Sequence, residues 1–232
     1  TAGQLSIRWI EKKMNEYLNK LLETKDEDFV IASDTDSIYI TFDKLVDKVF
    51  EKGSDVQKIV NFLDKIAKEK IEPYIDKSYQ TLADMMSAYD QKMFMKREVI
   101  ADKGIWTAKK RYILNAWDIE GVRFKEPQLK VMGIESVKSS TPAPCRVKIK
   151  EALHIIMKGG EKELNDFLIS FRNEFKKLAP EEIAYPRSCN GLKKFGSSNS
   201  IFIKGTPMHI KGSLVYNHMI KQKKLEFKYQ FI

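Results

Sequence analysis

Hydrophobic residues recur at three- and four-residue steps in several stretches of the chain, and this spacing is typical of amphipathic helices. Residues 5–21 predict the first helix, with Trp9, Ile10 and Met14 on its apolar side. A short helix is predicted over residues 45–50, and a longer one over residues 59–82 should be kinked or divided at Pro73. Further helices are predicted on both sides of Gly159-Gly160 and over residues 214–220.

Runs rich in β-branched and aromatic residues alternate with these helical stretches. Residues 29–42 predict two strands joined by the acidic turn Asp34-Thr35-Asp36-Ser37. Further strands are predicted over residues 93–100, 106–117 and 128–132; on the second of these, alternation would put Lys110 and Tyr112 on one face. The order of elements indicates an α+β fold. A domain with a mainly antiparallel sheet and packing helices would cover residues 1–133, and a mainly helical domain would cover residues 134–232.

Composition limits the classes of protein to which the chain can belong. The 232 residues, 43% hydrophobic and 31% charged, suit a globular protein with room for two domains. Apolar runs stay far below the ~20 residues that a membrane crossing needs, and residues 1–4 do not resemble a secretory signal, so we expect no membrane partner. Cys145 and Cys189 are too far apart in sequence to suggest a zinc site or a disulfide framework, which favours a reducing, intracellular compartment.

Charge is distributed unevenly along the chain. The net charge is +9, and residues 187–232 contain nine basic residues and one acidic residue, so the rest of the chain is close to neutral. A basic segment attached to a neutral body is expected of a protein that grips nucleic acid. A merely solvated surface would give the same pattern, and charge alone does not decide between the two interpretations.

The acidic turn is the strongest candidate for chemistry. It places the carboxylates of Asp34 and Asp36 two residues apart between β-segments, and such pairs suit hard divalent cations, usually Mg²⁺ with phosphate groups. An EF-hand calcium loop is excluded, because Ile38 and Tyr39 occupy the positions that need an oxygen ligand and a glycine. A plain acidic turn stays open as an alternative, since Asp and Ser are common turn formers.

The cluster Lys109-Lys110-Arg111-Tyr112 is the second candidate site. Lysine and arginine fix a nucleic-acid duplex by neutralising phosphates without reading its sequence. Alone, residues 109–111 would be read as a solvated edge strand. Together with the acidic hairpin and the basic surplus, they point to phosphoryl transfer on nucleic acid.

Both clusters resemble conserved motifs of family B (alpha-like) DNA polymerases. Asp34-Thr35-Asp36-Ser37 resembles the third palm motif, and Lys109-Lys110-Arg111-Tyr112 resembles the motif that holds the primer-template duplex. Other stretches resemble the T-even-like bacteriophage branch of this family, in chain order from residue 1 to about residue 221: residues 3–4, 9–11, 15–19, 93–95, 138–142 and 209–212.

The resemblance implies a palm domain over residues 1–133, followed by a thumb domain over residues 134–232. It implies that Asp36 is the principal metal ligand and that Asp34 has a lesser or indirect metal role at the active site. Lys110 would reach the minor groove near the primer end and pair with Asp34, and Tyr112 would contact the primer strand. Further DNA contacts are implied for Lys109, Arg111, Lys138, Lys194, Lys204 and Lys211.

The activity that the resemblance implies is DNA-directed DNA synthesis by two-metal catalysis with Mg²⁺. Its partners would be primer-template duplex DNA and deoxynucleoside triphosphates, in the cytoplasm of a bacterial host. The other catalytic Asp, the fingers and the proofreading exonuclease are expected before Thr1, and a tail that docks a sliding clamp is expected after residue 232. The chain would then be a fragment or a split subunit, inactive without an N-terminal polymerase portion.

The sequence departs from the family pattern at Ala32-Ser33, where Tyr-Gly is more usual, and this leaves the geometry of the acidic turn open. The alternative function is a non-catalytic duplex DNA-binding protein on a polymerase-derived scaffold. An RNA-directed polymerase is less favoured, because the basic motif and the thumb pattern resemble the DNA branch.

Overall fold

The computed structural model describes residues 1–188, 190–196 and 200–224, without the side chains of residues 192 and 193. Cys189 and two charged residues of the basic segment, Glu226 and Lys228, therefore lie outside the described residues, whereas Cys145 has a free thiol. Helices account for 52% of the described residues and strands for 18%, and the strands pair antiparallel, so the predicted α+β class is confirmed.

The chain divides into two compact units. The first consists of Thr1–Val137 with Leu153–Gly160, and the second of the described residues within Lys138–Ala152 and Glu161–Ile232. The sequence predicted a boundary after residue 133. That these units are a palm and a thumb stays a prediction.

The first unit contains helices, a two-stranded sheet and a three-stranded sheet. Its α-helices and strands up to residue 132 are α1 (Ala2–Leu22), β1 (Val30–Asp34), β2 (Ser37–Ile40), α2 (Asp43–Val49), α3 (Val56–Ile66), α4 (Glu72–Met85), β3 (Val99–Ala108), β4 (Arg111–Ile119) and β5 (Val122–Met132). β1 pairs with β2, and the second sheet has the order β3-β4-β5. Near Pro73 the long helix changes its hydrogen-bond pattern: Ala67–Ile71 is a π-helical turn between α3 and α4, and Pro73 lies in the first turn of α4, where its missing N–H costs little. A kink at Pro73 stays a prediction.

The core of this unit lies between α1 and α4. The Tyr17 and Tyr74 rings stack with centroids 4.2 Å apart, and the Trp9 indole N–H donates to the Ser78 carbonyl oxygen at 2.9 Å. Leu21, the last residue of the predicted first helix, is exposed, and Leu22 is buried instead. The buried residues of this core are Ile10, Met14, Leu18, Leu22, Phe29, Val30, Ile71, Ile75, Tyr79 and Leu82.

Two strand predictions were wrong in detail. Residues 93–98 are not a strand: the Arg97 backbone N–H donates to Glu72 Oε1 at 2.9 Å, which ties this stretch to α4, and β3 begins only at Val99. The stretch predicted as one strand over residues 106–117 contains the turn between β3 and β4, at Lys109-Lys110. Lys110 therefore does not lie on a strand face with Tyr112.

The second unit is built from helices, and its described residues include no strand. They form α6 (Glu161–Phe175), α7 (Pro180–Ile183), the 3₁₀ helix Leu192–Phe195, α8 (Met208–Lys223) and the first part of α5 (Ala143–Lys158). Lys148 joins α5 to α6, with Nζ 3.3 Å from Glu174 Oε2 and 5.5 Å from the centre of the Phe167 ring. In the part of the chain that the structure describes, every helix is too short or too polar to cross a membrane.

Candidate metal and nucleic-acid site

The hairpin of β1 and β2 is anchored on the helical core by α1. Asn15 Oδ1 accepts hydrogen bonds from the backbone N–H groups of both Phe29 and Val30, each at 2.9 Å, and both residues are buried. The next residue, Ile31, is 53% exposed. The base of the hairpin is therefore fixed by the core, whereas its tip is open to solvent.

The tip is a tight turn in which Asp34 pairs with Ser37. Thr35 has a φ of 44°, in the left-handed region, where a β-branched residue is rare and strained by about 1–3 kcal/mol. The Asp36 N–H donates to the Asp34 carbonyl oxygen at 2.5 Å, and the Ser37 hydroxyl donates to the same oxygen at 3.1 Å. These contacts fix the backbone between the two acidic residues.

The two carboxylates differ in exposure. The Asp34 side chain is 23% exposed and accepts a hydrogen bond from the Thr35 hydroxyl at 3.1 Å, whereas Asp36 is exposed.

Carboxylate oxygens such as those of Asp34 and Asp36 fit Mg²⁺, which binds through one or two carboxylates together with water and substrate phosphates. Among the described residues, no three His, Cys, Asp or Glu side chains come together as a metal-binding group. The chemistry of the two carboxylates by itself fits Mg²⁺.

The Lys109-Lys110 turn meets the acidic turn. Lys110 Nζ lies 3.5 Å from Asp34 Oδ1, so the predicted pairing of these side chains is confirmed. Because the Lys110 side chain is 63% exposed, this contact should contribute at most about 1 kcal/mol to stability. Its importance is spatial: it brings together two motifs that are far apart in the sequence.

The Lys110 turn packs closely against the residue that follows β5. Lys110 has a φ of 60°, and its carbonyl oxygen faces Gly133, where an added Cβ would lie only 2.2 Å away. Gly133 itself has a φ of 65°, which L side chains rarely adopt. Both the backbone conformation and the close approach therefore require glycine at this position.

Three aromatic rings lie between the two hairpins: Tyr39 on β2, Trp106 on β3 and Tyr112 on β4. We call them the aromatic cluster. The Tyr39 ring lies edge-on to both others, with centroid distances of 5.3 Å in each case. Burial is the main cause that raises the pKa of Tyr39 to about 12, and its interaction with the Tyr112 side chain adds to this, whereas Ser37 acts in the opposite direction.

A buried charge network around Asp118, which the sequence pattern does not predict, links the three-stranded sheet to α3. Asp118, on β4, is 1% exposed and pairs with Arg97 and with Arg123, whose Nε lies 3.0 Å from Asp118 Oδ2. Arg97 also contacts Asp64 of α3 at 2.5 Å. Burial alone would raise the pKa of Asp118, but hydrogen bonds from Arg97, Arg123 and the Gly121 N–H lower it below its usual value of 3.8. Nothing in the local sequence marks Arg97 as a partner of residues so distant along the chain.

The other predicted DNA contacts are distributed over both units. In the first, Lys109 is exposed and Arg111 pairs with Glu135 at 2.6 Å. In the second, Lys138 is exposed at its start. Lys194, Lys204 and Lys211 belong to one region around the 3₁₀ helix and the start of α8.

That region is held together by aromatic and backbone contacts. Lys194 Nζ lies 4.9 Å from the centre of the Phe195 ring, and Lys211 Nζ lies 5.2 Å from that of Phe202. The Ile203 N–H donates to the Phe195 carbonyl oxygen at 3.1 Å and so links the two segments. Three cations thus share a small region of the second unit.

Comparison with known proteins extends over almost the whole chain. No family model matches it. It is 44% identical over 230 residues to a DNA-directed DNA polymerase of Escherichia phage RB69, and 38% identical over 227 residues to that of Enterobacteria phage T4. These matches cover 95% and 94% of the chain, which spans about a quarter of the length of each relative. The resemblance predicted from the motifs is therefore confirmed, and the chain is related in sequence to one quarter of the DNA-directed DNA polymerases of T4-like phages.

Proposed function

We propose that this chain is the palm-and-thumb part of a DNA-directed DNA polymerase. The observation that carries the proposal is the 3.5 Å contact between Asp34 and Lys110, because it joins the acidic motif to the basic motif in one site. The sequence identity to two phage polymerases supports the same class of enzyme.

In this proposal Asp36 is the main carboxylate that holds Mg²⁺, and Asp34 has the lesser role. Bound metal ions would activate the attacking oxygen of the primer and stabilise the leaving oxygen of the nucleotide. Asp34 is oriented by the Thr35 hydroxyl and by Lys110, whereas the exposed Asp36 faces solvent from which an acidic substrate can approach. The rest of the ligand set would come from a carboxylate outside this chain.

The basic residues would hold the primer-template duplex. Lys110 and Tyr112 lie at or next to the turn beside the acids, where a primer end must be placed for reaction. Lys194, Lys204 and Lys211 would neutralise other phosphates of the duplex, with Lys138 adding another contact. The reaction would use deoxynucleoside triphosphates in the cytoplasm of a bacterial host.

The proposal also includes a partner polypeptide or segment. Since the chain spans a quarter of the length of its relatives, we propose that an N-terminal portion supplies the other catalytic Asp and the fingers. A sliding clamp would bind elsewhere in the complete enzyme. The chain by itself should then bind duplex DNA weakly and not extend a primer.

Primer extension tests this proposal directly. The chain alone, given Mg²⁺, nucleotides and primer-template, should give no product, and a polymerase in which it replaces the matched quarter of the RB69 enzyme should extend the primer. Synthesis by the isolated chain would contradict the proposed incomplete site. A folded chimera that binds duplex without any synthesis would favour the alternative, a non-catalytic duplex-binding protein.

A further inference from the structure

The acidic turn and the Lys110 turn belong to different sheets. β1 and β2 form one sheet, and β3, β4 and β5 form the other. No shared hydrogen-bond ladder therefore sets the distance between the two turns, and side-chain packing between the two hairpins contributes to it.

The Asp34–Lys110 ion pair is a poor candidate for this task. Both partners are partly exposed, at 23% and 63%, and exposed pairs of flexible side chains hold their geometry weakly. The aromatic cluster is better suited, since its rings are stiff and prefer edge-to-face arrangements.

The position of the aromatic cluster matches this requirement. Trp106 and Tyr112 are cross-strand partners just before and after the Lys109-Lys110 turn. Tyr39 lies just after the acidic turn, on β2, and contacts both rings. The Tyr39 side chain of the β1–β2 hairpin therefore packs against the Trp106 and Tyr112 rings near the tip of the β3–β4 hairpin.

Gly104 provides the space for this arrangement. An added Cβ there would lie 2.7 Å from two atoms of the Trp106 ring and 2.9 Å from Leu114. Any larger residue at position 104 would force the indole to move. The place of Trp106 thus depends on a residue outside the cluster, which offers an independent way to disturb it.

We propose that Tyr39 is a positioning residue: its ring, seated against Trp106 and Tyr112, holds the acidic turn at the distance at which Asp34 meets Lys110. The consequence for catalysis rests on the proposed function, whereas the positioning itself does not. Tyr39 touches neither metal nor substrate in this account and acts only through the placement of the two turns.

Carbodiimide cross-linking of the full chain measures this placement without metal or DNA. The reagent activates the Asp34 carboxylate, and the Lys110 amine then displaces the urea to leave an amide, which peptide mass spectrometry quantifies. The contact between Lys13 and Glu16 within α1, at 2.7 Å, provides an internal reference for yield.

Tyr39→Leu should lower the yield of the Asp34–Lys110 amide roughly fivefold or more relative to the reference, because it removes both aromatic contacts. Tyr39→Phe keeps the ring and should stay within about twofold of the original yield. Tyr89→Leu makes the same change at a fully exposed tyrosine and should have no effect. An unchanged yield in folded Tyr39→Leu, or an equal loss in Tyr39→Phe, would overturn the proposal.

Gly104→Ala keeps the test decisive if Tyr39→Leu does not fold. It leaves all three aromatic residues in place but displaces the Trp106 indole, and it should also lower the amide yield. A normal yield together with a shifted Trp106 signal in NMR would contradict the proposal.

A separate readout distinguishes this inference from the proposed function. In the polymerase chimera, Tyr39→Leu should lower kcat by about tenfold or more, since small misplacements of reacting groups are costly, with a much smaller change in duplex affinity. If cross-linking responds as expected but the chimera never synthesises DNA, the positioning role stands and the proposed function fails. If the chimera synthesises DNA only when Asp36 is present, but Tyr39→Leu leaves the yield of the Asp34–Lys110 amide unchanged, the proposed function stands and the positioning role fails.

Discussion

Thr35 and Lys110 adopt left-handed backbone conformations on the two sides of the Asp34–Lys110 contact, with φ values of 44° and 60°. Neither residue type favours this region. Such strain persists only where the surrounding structure imposes it, and it often gathers at functional sites. Here hydrogen bonds to the Asp34 carbonyl oxygen hold the turn at Thr35, and Gly133 leaves room for the Lys110 carbonyl. The strain supports a functional role for the junction of the two turns.

Arg97 is the residue whose loss should destabilise the first unit most clearly. Arg97→Leu would leave Asp118 buried with only part of its positive partners, at a cost of about 3–5 kcal/mol in the free energy of unfolding. Urea unfolding at pH 7 measures this cost. Arg8→Leu, at an exposed position of α1, is the matched control and should change the free energy by less than about 0.5 kcal/mol.

The pH dependence of stability gives the same network a second test. The pKa of Asp118 is lowered in the folded state, so the folded chain binds fewer protons than the unfolded chain as the pH falls. The stabilisation that the ionised Asp118 carboxylate provides is complete above the ordinary pKa of 3.8 and is lost as the pH falls through the lowered pKa of the folded chain. In Arg97→Leu, the free energy of unfolding should fall less steeply as the pH drops below 3.8. If the variant and the original chain show the same pH dependence in this range, Asp118 is not its source.

At the scale of elements, the two hairpins show what sequence patterns can predict. The β1–β2 hairpin was predicted because its acidic turn lies between two apolar runs. The β3–β4 turn was missed because Lys109-Lys110 contains none of the residues that usually mark a turn. Gly133, beyond the end of another strand, leaves the space that the Lys110 carbonyl occupies, and the local sequence around the turn does not contain that information.

Replacing Gly133 should therefore disturb the packing of the end of β5 against the Lys110 turn. Gly133→Ala should lower the free energy of unfolding by about 2 kcal/mol or more, because it adds backbone strain and a clash with the Lys110 carbonyl. Gly121→Ala, at a φ of 86° but with nothing within 4 Å of the added Cβ, carries the strain alone and should cost about 1 kcal/mol. Equal losses in the two variants would show that the close approach to Lys110 has no energetic effect.

At the scale of the whole molecule, the sequence predicted the fold class, most helices and the relationship to phage polymerases. It also predicted the Asp34–Lys110 pair, through the resemblance rather than through spacing. It could not predict the aromatic cluster or the Arg97–Asp118 pair, because both depend on which distant elements pack together. Long-range packing of this kind has no periodic signature along the chain.

The lysines of the second unit give a prediction for duplex binding by the chain. Changing Lys194, Lys204 and Lys211 to Gln should make the slope of log affinity against log salt shallower by about 0.9 for each phosphate that is no longer neutralised. Fluorescence anisotropy with a labelled duplex between about 50 and 200 mM salt measures the slope. Lys65→Gln, at an exposed position of α3, is the control, and an unchanged slope in the triple variant would remove these lysines from the interface.

A paired measurement of synthesis and duplex affinity for Asp36→Ala tests whether the acidic turn holds the catalytic metal. In the polymerase chimera that contains this chain, the substitution should lower the rate of nucleotide incorporation by about 10²-fold or more, because a metal ligand is lost, and leave the duplex Kd within about twofold. Asp43→Ala, at an exposed acid in the first turn of α2, should change neither quantity. Persistent synthesis after Asp36→Ala, or loss of synthesis and duplex binding together, would contradict the account.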